Sequence, residues 1–406
     1  MRKKGGAPMS EFAMELPQRV EFILGKMKES GFVAHVVGGS VRDAVIGREC
    51  GDFDITTNAL PEETEAVFRD YRIIETGIKH GTVSVILDGE QYEITTYRVD
   101  GDYKDNRHPE SVTFTARLEE DLMRRDFTVN AMAYNPDTGL TDPFGGKRDG
   151  KDKLIRAVGD PYKRFDEDAL RILRALRFAS VLGFRIEEKT AQAVRERAHL
   201  LSSISKERIY TELKKLVMGV DATKILTEYA DVLAPSLGGI VIKNLPKKEL
   251  FDTADVHTRF SSLYLLNSPD PREVSYSALT ELKTDKLMRS RVADAIEIYG
   301  SVTFRDVRTT LAHFADYGVQ TSLDTLSLGI LTERFTEREA QTCADALSSA
   351  IPYTVSQLAV RGGDVSALGF KGEKIGDALK SLLYAVIEGK VENERDALLA
   401  YLKDYE

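Results

Sequence analysis

The chain places two acidic side chains one residue apart, within residues 51–55. On a β-strand, residues i and i+2 point to the same face, so we expect the carboxylates of Asp52 and Asp54 to lie side by side. Neighbouring carboxylates repel each other unless a cation joins them, and Mg²⁺ prefers oxygen ligands of this kind. The pair therefore predicts a magnesium site, although surface aspartates at a turn would give the same pattern.

A glycine pair precedes the two aspartates. Gly38 and Gly39 follow a β-like run at residues 33–37 and precede a short helix that begins at Ser40. Two residues without side chains let the backbone approach a polyphosphate, with helix N–H groups directed at it. Arg42 lies in the first turn, where its guanidinium can bind a phosphate bidentately. A glycine pair is often only a turn, but with the two aspartates it favours phosphoryl or nucleotidyl transfer.

Five segments resemble, in order, the motifs of bacterial class II tRNA nucleotidyltransferases and poly(A) polymerases, within the DNA polymerase β-like superfamily. They are VVGGSVRDAVIGRECGDFDITTNALPEE at 36–63, RRDFTVNA at 124–131, DPFGGKRD at 142–149, EDALR at 167–171 and RIYTEL at 208–213. The resemblance is dense over residues 14–215 and looser beyond, where EGKVENERDALLAYL at 388–402 is similar to the family's end. It implies template-independent, two-metal nucleotidyl transfer that builds the CCA 3′ end of tRNA from CTP and ATP.

The resemblance also implies roles for individual residues. Asp52 and Asp54 would be catalytic and would hold the Mg²⁺. The residues expected to bind the nucleotide are Gly39, Arg42, Arg125, Asn130, Asp168, Arg171, Arg174 and Arg177. Glu93, in the strand-like QYEITTYR, is either a third acid that supports the metal or the attacking hydroxyl, or a solvated strand residue.

Asp168 and Arg171 are three residues apart in a helical pattern, which would place them on one helix face. Cytosine and adenine both present an amino donor beside a ring-nitrogen acceptor, which a carboxylate and a guanidinium can recognise. Uracil and guanine present the opposite polarity, so this pair could select C and A without a template. The alternative is an ordinary surface ion pair. Arg174 and Arg177 continue the row, but three-residue steps drift by about 60° each, so Arg177 suits a phosphate or a structural carboxylate better than a base.

The segment DGDYKDNRHPESV at residues 100–112 favours full CCA or A addition, because CC-adding relatives are expected to lack a flexible loop here. Where the family commonly has Arg-Arg-Pro, this chain has Arg107, His108 and Pro109, which weakens the transfer of any substrate contact to His108. A CCA-adding enzyme is the leading interpretation. An A-adding enzyme or poly(A) polymerase stays open, as does a catalytically silent RNA-binding protein, against which the intact aspartate pair argues.

These residues need an α/β head to position them. A helix is predicted over 18–30, ending at Gly31, and strands over 33–37, 52–55, 82–87 and 91–98, the last two joined by Asp88-Gly89. Another helix is expected near Pro61, and from about residue 165 the pattern is helical. We therefore predict an α+β fold. A polymerase β-like nucleotidyltransferase head with a mixed sheet (14–156) would precede an all-α neck with the nucleotide-selecting helix (157–222), a body (223–318) and a tRNA-binding tail (319–406).

Composition limits the class of protein. The 406 residues exceed one ordinary domain, and 42% hydrophobic with 30% charged residues is typical of soluble globular proteins. No apolar run approaches the ~20 residues that span a bilayer, and Cys50 and Cys343 lack metal or disulfide spacing, so we expect a cytoplasmic protein without a membrane partner. We interpret residues 1–8 as a disordered leader or a cloning remnant.

The net charge of −9 argues, by itself, against a nucleic-acid partner. Basic residues nevertheless cluster at 147–164, 171–177 and 206–215, although each cluster could also be a solvated helix face. The expected partners are tRNA, through its 3′ end and acceptor/T arm, and the nucleotides ATP and CTP. The oligomeric state is left open, a homodimer included.

Overall fold

The computed structural model describes residues 12–74, 81–101 and 112–403. The predicted leader at residues 1–8 therefore lies outside the described residues. So does most of the predicted loop at 100–112, with Arg107, His108 and Pro109. The chain divides into two compact units, residues 1–232 and 233–406. The finer division into head, neck, body and tail stays a prediction.

The first unit combines strands and helices. Its strands are β1 Ala34–Val37, β2 Asp54–Thr57, β3 Arg72–Ile74, β4 Thr82–Leu87, β5 Glu90–Thr96, β6 Arg98–Asp100, β7 Val112–Phe114, β8 Ala133–Asn135, β9 Gly139–Thr141, β10 Leu154–Ile155 and β11 Arg185–Ile186. Its helices are α1 Gln18–Glu29, α2 Gly39–Val45, α3 Pro61–Val67, α4 Leu118–Met123, α5 Gly146–Lys151, α6 Pro161–Glu167, α7 Leu170–Leu182, α8 Glu188–Arg197, α9 Lys206–Val217 and α10 Ala222–Glu228, with α11 Ala230–Leu233 at its end.

Seven strands form one mixed sheet in the order β3-β4-β5-β2-β1-β8-β9. The β2–β5 pair is parallel, whereas the other pairs of this sheet are antiparallel. The predicted β4–β5 hairpin is confirmed, and its turn residues Asp88 and Gly89 have φ values of 50° and 86°, as a tight hairpin turn requires. The sheet brings the end of β1 beside the start of β2, because Val37 pairs with Asp54.

Helix α1 covers the core of this sheet. Its buried residues Val20, Ile23, Leu24 and Met27 follow the 3.6-residue period and pack in one cluster with residues of the sheet. The helix ends one residue earlier than predicted, with Gly31 at a φ of 87° just beyond it. Because glycine adopts positive φ without steric cost, it stops the helix there.

Helices α7 and α9 pack together, and Leu170, Leu173 and Leu176 of α7 are buried. The prediction that this region is entirely helical is wrong at one short strand. Helix α7 ends at Gly183, which has a φ of 69°. The two residues of β11 then pair in parallel with the two residues of β10. A pair this short leaves no alternating pattern that sequence reasoning can detect.

The described secondary structure of the second unit is helical. Its helices are α12 Lys248–Thr253, α13 Val256–Asn267, α14 Pro271–Glu281, α15 Lys286–Ile298, α16 Val307–Tyr317, α17 Val319–Leu331, α18 Glu337–Ser348, α19 Gly362–Ala367, α20 Glu373–Glu388 and α21 Arg395–Lys403. Leu311 of α16, Leu382 of α20 and Leu398 of α21 belong to one buried cluster. Within the described ranges, no helix is both long enough and apolar enough to cross a membrane. The cytoplasmic location stays a prediction.

Candidate active site

A cleft of about 710 Å³ in the first unit brings together the ten residues that the sequence predicts for the site. Asp52, Asp54 and the eight expected nucleotide-binding residues all line it. Gly38, predicted with Gly39 to let the backbone approach a polyphosphate, lines it as well. Sequence reasoning gave no site role to the other lining residues, which are Ser40, Asp43, Gly51, Arg124, Asp126, Phe178 and Lys215. The site therefore draws on the sheet, on α2, on the segment around α4, and on α7 and α9.

The aspartate pair lies at the start of β2, but only Asp54 belongs to the strand. The prediction of a strand over 52–55 is wrong for Asp52, because β1 ends at Val37 and leaves nothing for residues before Asp54 to pair with. Both side chains open into the cleft. The surrounding protein desolvates Asp54 and raises the pKa of its carboxyl; Arg125 opposes this effect and Asp52 adds to it. Two acids this close favour a bound cation.

Gly38 forms the turn between β1 and α2. Its φ of 75° and ψ of −130° are accessible to glycine but not to other residues without strain. A Cβ at this position would lie 3.4 Å from Nη1 of Arg125 and 3.5 Å from Oδ2 of Asp54. The backbone of Gly38, which has no side chain, thus lies between the guanidinium of Arg125 and the carboxylate of Asp54. Helix α2 begins at the next residue, Gly39.

Arg42 is fixed in the cleft by hydrogen bonds to two neighbours. Its Nε and Nη2 each donate to the carboxylate of Asp43 at 2.9 Å, and Nη1 donates to Oδ1 of Asn130 at 2.8 Å. Asn130 in turn donates to Asp126 at 3.1 Å. These contacts link two predicted nucleotide-binding residues, Arg42 and Asn130, so the orientation of one depends on the other.

Asp126 is the centre of this network and was missed by sequence reasoning, although it belongs to the RRD segment. Nε of Arg174 donates to it at 2.7 Å from 48 residues further along the chain. Burial raises the pKa of Asp126, but the charge of Arg174, hydrogen bonds from Asn130 and Arg174, and the charge of Arg171 together lower it to about 2. Asp126 therefore stays ionised and holds Arg174 in place.

Glu212 of α9 is a second buried carboxylate behind the arginine row. It accepts a hydrogen bond from Nε of Arg177 and lies 4.0 Å from Nη1 of Arg174. The Arg177 guanidinium also stacks 3.8 Å from the ring centroid of Phe178, with those of Arg42 and Arg174 each at 5.3 Å. The prediction that Arg177 suits a structural carboxylate is confirmed, whereas a phosphate contact stays a prediction.

Asp168 and Arg171 both line the cleft, but the prediction that they share a helix is wrong. Asp168 has extended backbone angles (φ −138°, ψ 102°) between α6 and α7, and its Oδ1 accepts from the backbone N–H of Leu170 at 3.1 Å. A carboxylate at this position satisfies an otherwise unpaired N–H group at the start of α7, which favours a break over a continuous helix.

Each of the two has its own partner instead of pairing with the other. Oδ2 of Asp168 lies 3.4 Å from Nη2 of Arg208. Arg171 donates to Glu167 at 2.9 Å and to the backbone oxygens of Arg124 at 2.9 Å and Arg164 at 3.2 Å. The carboxylate and the guanidinium are therefore held independently at one cleft.

Arg125 is anchored by a buried acid. Its Nη2 donates to Oδ2 of Asp121 at 3.3 Å, while Arg124 donates to Oδ1 of the same residue at 2.8 Å. Burial raises the pKa of Asp121, but the two arginines outweigh this effect and lower it. Asp121 thus stays charged and holds both arginines at the cleft.

Glu93 lies beside the aspartate pair. In the parallel β2–β5 pair Ile94 is opposite Ile55, which places Glu93 next to Asp54. An adjoining cleft of about 800 Å³ is lined by Asp52, Asp54 and Glu93 together. This position suits a third acid, although its role stays a prediction.

A glycine turn, an aspartate pair and a basic cleft on a mixed sheet define the catalytic head of a polymerase β-like nucleotidyltransferase. The model for the "Poly A polymerase head domain" matches residues 34–156. Models for the "Probable RNA and SrmB- binding site of polymerase A" and for "tRNA nucleotidyltransferase domain 2" match residues 183–231 and 260–402.

Curated relatives match almost the whole chain. The CCA-adding enzyme of Streptococcus gordonii is 38% identical over 97% of this chain and 98% of its own length. That of Geobacillus stearothermophilus is 37% identical over 94% and 95%. Among solved structures, the Bacillus stearothermophilus CCA-adding enzyme in complex with CTP is 32% identical, covers 96% of this chain and 97% of its own, and has a TM-score of 0.78. The chain belongs to the CCA-adding enzyme family, and the predicted α+β fold is confirmed.

Proposed function

We propose that this protein adds CCA to the 3′ end of tRNA from CTP and ATP without a nucleic-acid template. One observation carries this proposal: a single cleft holds the aspartate pair, the Gly38-Gly39 turn, and the Asp168 and Arg171 side chains. The relatives named CCA-adding enzymes, one of them solved with CTP, support the choice of product and substrate.

We further propose that Asp52 and Asp54 hold Mg²⁺. The donor set fits, because two carboxylates offer hard oxygen ligands. Burial, and after it the negative charge of Asp52, raises the pKa of Asp54, so a cation between the two acids would relieve both effects. When bound, the metal neutralises negative charge on the triphosphate and makes the attacking hydroxyl more acidic. In this proposal Glu93, which lines an adjoining cleft with both acids, supports them from the neighbouring strand.

The arginines of the cleft bind the triphosphate in this proposal. Arg42 and Arg125 flank the Gly38-Gly39 turn and supply fixed positive charge, and Arg174 and Arg177 extend that charge along α7. Because their carboxylate partners already hold the side chains, little rotamer entropy is lost when a nucleotide binds. Asn130, fixed between Arg42 and Asp126, contacts the sugar.

Asp168 and Arg171 select the base. Asp168 accepts a hydrogen bond from the amino group of C or A, and Arg171 donates to the ring nitrogen beside it. With U or G, the carboxylate would face a carbonyl oxygen and the guanidinium an N–H group, and both would be unpaired. Selection then rests on the penalty for leaving polar groups without partners.

The reaction is a nucleotidyl transfer. The 3′-hydroxyl oxygen of the RNA attacks the α-phosphorus, the bond to the bridging oxygen breaks, and pyrophosphate leaves while the hydroxyl proton passes to solvent. This chain's residues contribute by holding the reacting groups in line and by neutralising the charge of the leaving pyrophosphate.

Primer extension on tRNA transcripts tests the proposal. Transcripts lacking CCA, ending in CC or ending in CCA are incubated with CTP and ATP, singly and together. The proposal expects two C additions with CTP alone, one A on the CC transcript with ATP, and no extension of the complete end. If only the transcript ending in CC is extended, the protein is an A-adding enzyme. If ATP gives long poly(A) tails, it is a poly(A) polymerase. Binding of tRNA without incorporation of any nucleotide would make it a silent RNA-binding protein.

A further inference from the structure

The two side chains proposed to read the base are anchored by different parts of the first unit. Arg171 is held from α6 and the segment after α4, through Glu167 and the backbone of Arg124. Asp168 is held from α9, through Arg208, which lies 40 residues further along the chain. The acceptor half and the donor half of the pair can therefore be perturbed separately.

The carboxylate of Asp168 has one anchor at each oxygen. Oδ1 accepts from the N–H of Leu170 at 3.1 Å, and Oδ2 lies 3.4 Å from Nη2 of Arg208. The terminal torsion of an aspartate is broad, so a carboxylate held at one oxygen only can still swing. The second anchor removes this freedom, while each carboxylate oxygen keeps a lone pair for a further donor.

Arg208 holds Asp168 from outside the cleft. Asp168 is a lining residue, whereas Arg208 is not among the described residues that line the cleft. Nη1 of Arg208 is buried, and the Arg208 side chain is 29% exposed against 18% for Asp168. These positions suit a residue that orients another side chain, not one that contacts the nucleotide itself.

We propose that Arg208 is a positioning residue that fixes Asp168 in the orientation that reads the amino group of the incoming base. The proposal rests on the proposed base selection and adds a specificity determinant outside the cleft. On the same face of α9, Glu212 holds Arg174 and Arg177. One helix thus orients several side chains of the nucleotide site.

A double-mutant cycle on nucleotide discrimination tests this role. The quantity measured is the ratio of kcat/KM for CTP to that for UTP, on a transcript lacking CCA. We expect Arg208→Ala to lower this ratio about fivefold, or about 1 kcal/mol, and Arg208→Lys to lower it less, because the charge remains without the planar fork. In an Asp168→Ala background, Arg208→Ala should change the ratio less than about twofold, because the residue through which it acts is gone.

Matched variants separate positioning from damage to the fold. Lys214→Ala removes a positive charge from an exposed position of the same helix and should leave the ratio unchanged. Arg208→Met keeps the apolar stem, so it replaces Arg208→Ala if that variant does not fold by circular dichroism. A structural role alone would lower kcat/KM for CTP and for UTP by one common factor and leave the ratio of the two unchanged.

The outcomes distinguish the two proposals. If Asp168→Ala lowers the ratio but none of the Arg208 variants does, the positioning role of Arg208 is wrong and base selection by Asp168 stands. Equal factors for Arg208→Ala in both backgrounds would also overturn the positioning role, because Arg208 would then act independently of Asp168. If Asp168→Ala leaves the ratio unchanged, the proposed base selection is wrong, and the role of Arg208 is wrong with it.

Discussion

Replacing Gly38 with alanine perturbs the turn that separates Asp54 from Arg125. The backbone angles of Gly38 lie outside the region that alanine adopts readily, at a cost of about 2–3 kcal/mol. The added methyl would lie 3.4 Å from Arg125 and 3.5 Å from Asp54, which is ordinary contact and adds no clash. Alanine also restricts the unfolded chain, which offsets about 0.4–1 kcal/mol. The net loss should be about 2 kcal/mol, which lowers Tm by about 4–8 °C for a unit of this size.

The same methyl should impair nucleotide binding as well as folding. It would occupy the surface between a carboxylate and a guanidinium where the triphosphate is proposed to approach the backbone. We expect the KM for CTP to rise by more than about tenfold, equivalent to about 1.4 kcal/mol. The assay is steady-state CTP incorporation well below Tm, with Tm followed by circular dichroism.

Gly47→Ala is the matched control for the Gly38 variant. Gly47 also has a positive φ, 73°, but a Cβ there meets no atom within 4 Å of the described structure. This variant should lose about 1 kcal/mol of stability and keep the KM for CTP. If Gly38→Ala keeps both the Tm and the KM of the unmodified protein, the hypothesis that Gly38 forms a strained turn at which the triphosphate binds is refuted. If both variants raise KM equally, the effect comes from general destabilisation.

Four further predictions concern chemistry and partners. Asp52→Ala or Asp54→Ala should leave the circular dichroism spectrum unchanged and lower kcat more than about tenfold, and retention of more than a tenth would contradict the metal-ligand role. Glu93→Gln should lower kcat about tenfold if it acts as a third acid, whereas an unchanged kcat would identify a solvated strand residue. Asp168→Ala should reduce discrimination against UTP and GTP by ~1–3 kcal/mol; slowing of all four nucleotides by one factor in kcat/KM would mean a structural role. Binding to tRNA should weaken between about 50 and 200 mM salt, and constant affinity in filter binding would argue against backbone contacts.

Local patterns predicted much of the head. The apolar period of α1 and its glycine stop, and the Asp88-Gly89 hairpin, follow from rules that act within a few residues. Residue types and spacing indicated Asp52, Asp54, Gly39 and Arg42, the family motifs completed the set, and the cleft brings all ten site residues together. Local residue patterns and the family resemblance were therefore enough to predict which residues lie together at the cleft.

The side chains that orient the site could not be predicted in the same way. Arg174 reaches Asp126 across 48 positions of sequence, and Arg177 reaches Glu212 across 35. These contacts depend on how α7 packs on α9 and on the segment after α4, which no local pattern specifies. The break at Asp168 was missed for a related reason, because its side chain accepts a local hydrogen bond from the N–H of Leu170, which competes with a continuous helix there.

The acidic composition and the basic cleft have a common explanation in these contacts. The chain carries a net charge of −9, yet six arginines and one lysine line the cleft. Several of these arginines have a carboxylate partner within the first unit, in the pairs Arg42–Asp43, Arg125–Asp121, Arg171–Glu167, Arg174–Asp126 and Arg177–Glu212. Partners of this kind lower the free energy of concentrating positive charge and keep the guanidiniums oriented before a ligand arrives. The net charge, taken alone, argues against a polyanionic substrate. In the folded protein, however, these acidic side chains stabilise the arginines at the cleft, where a polyanion can bind.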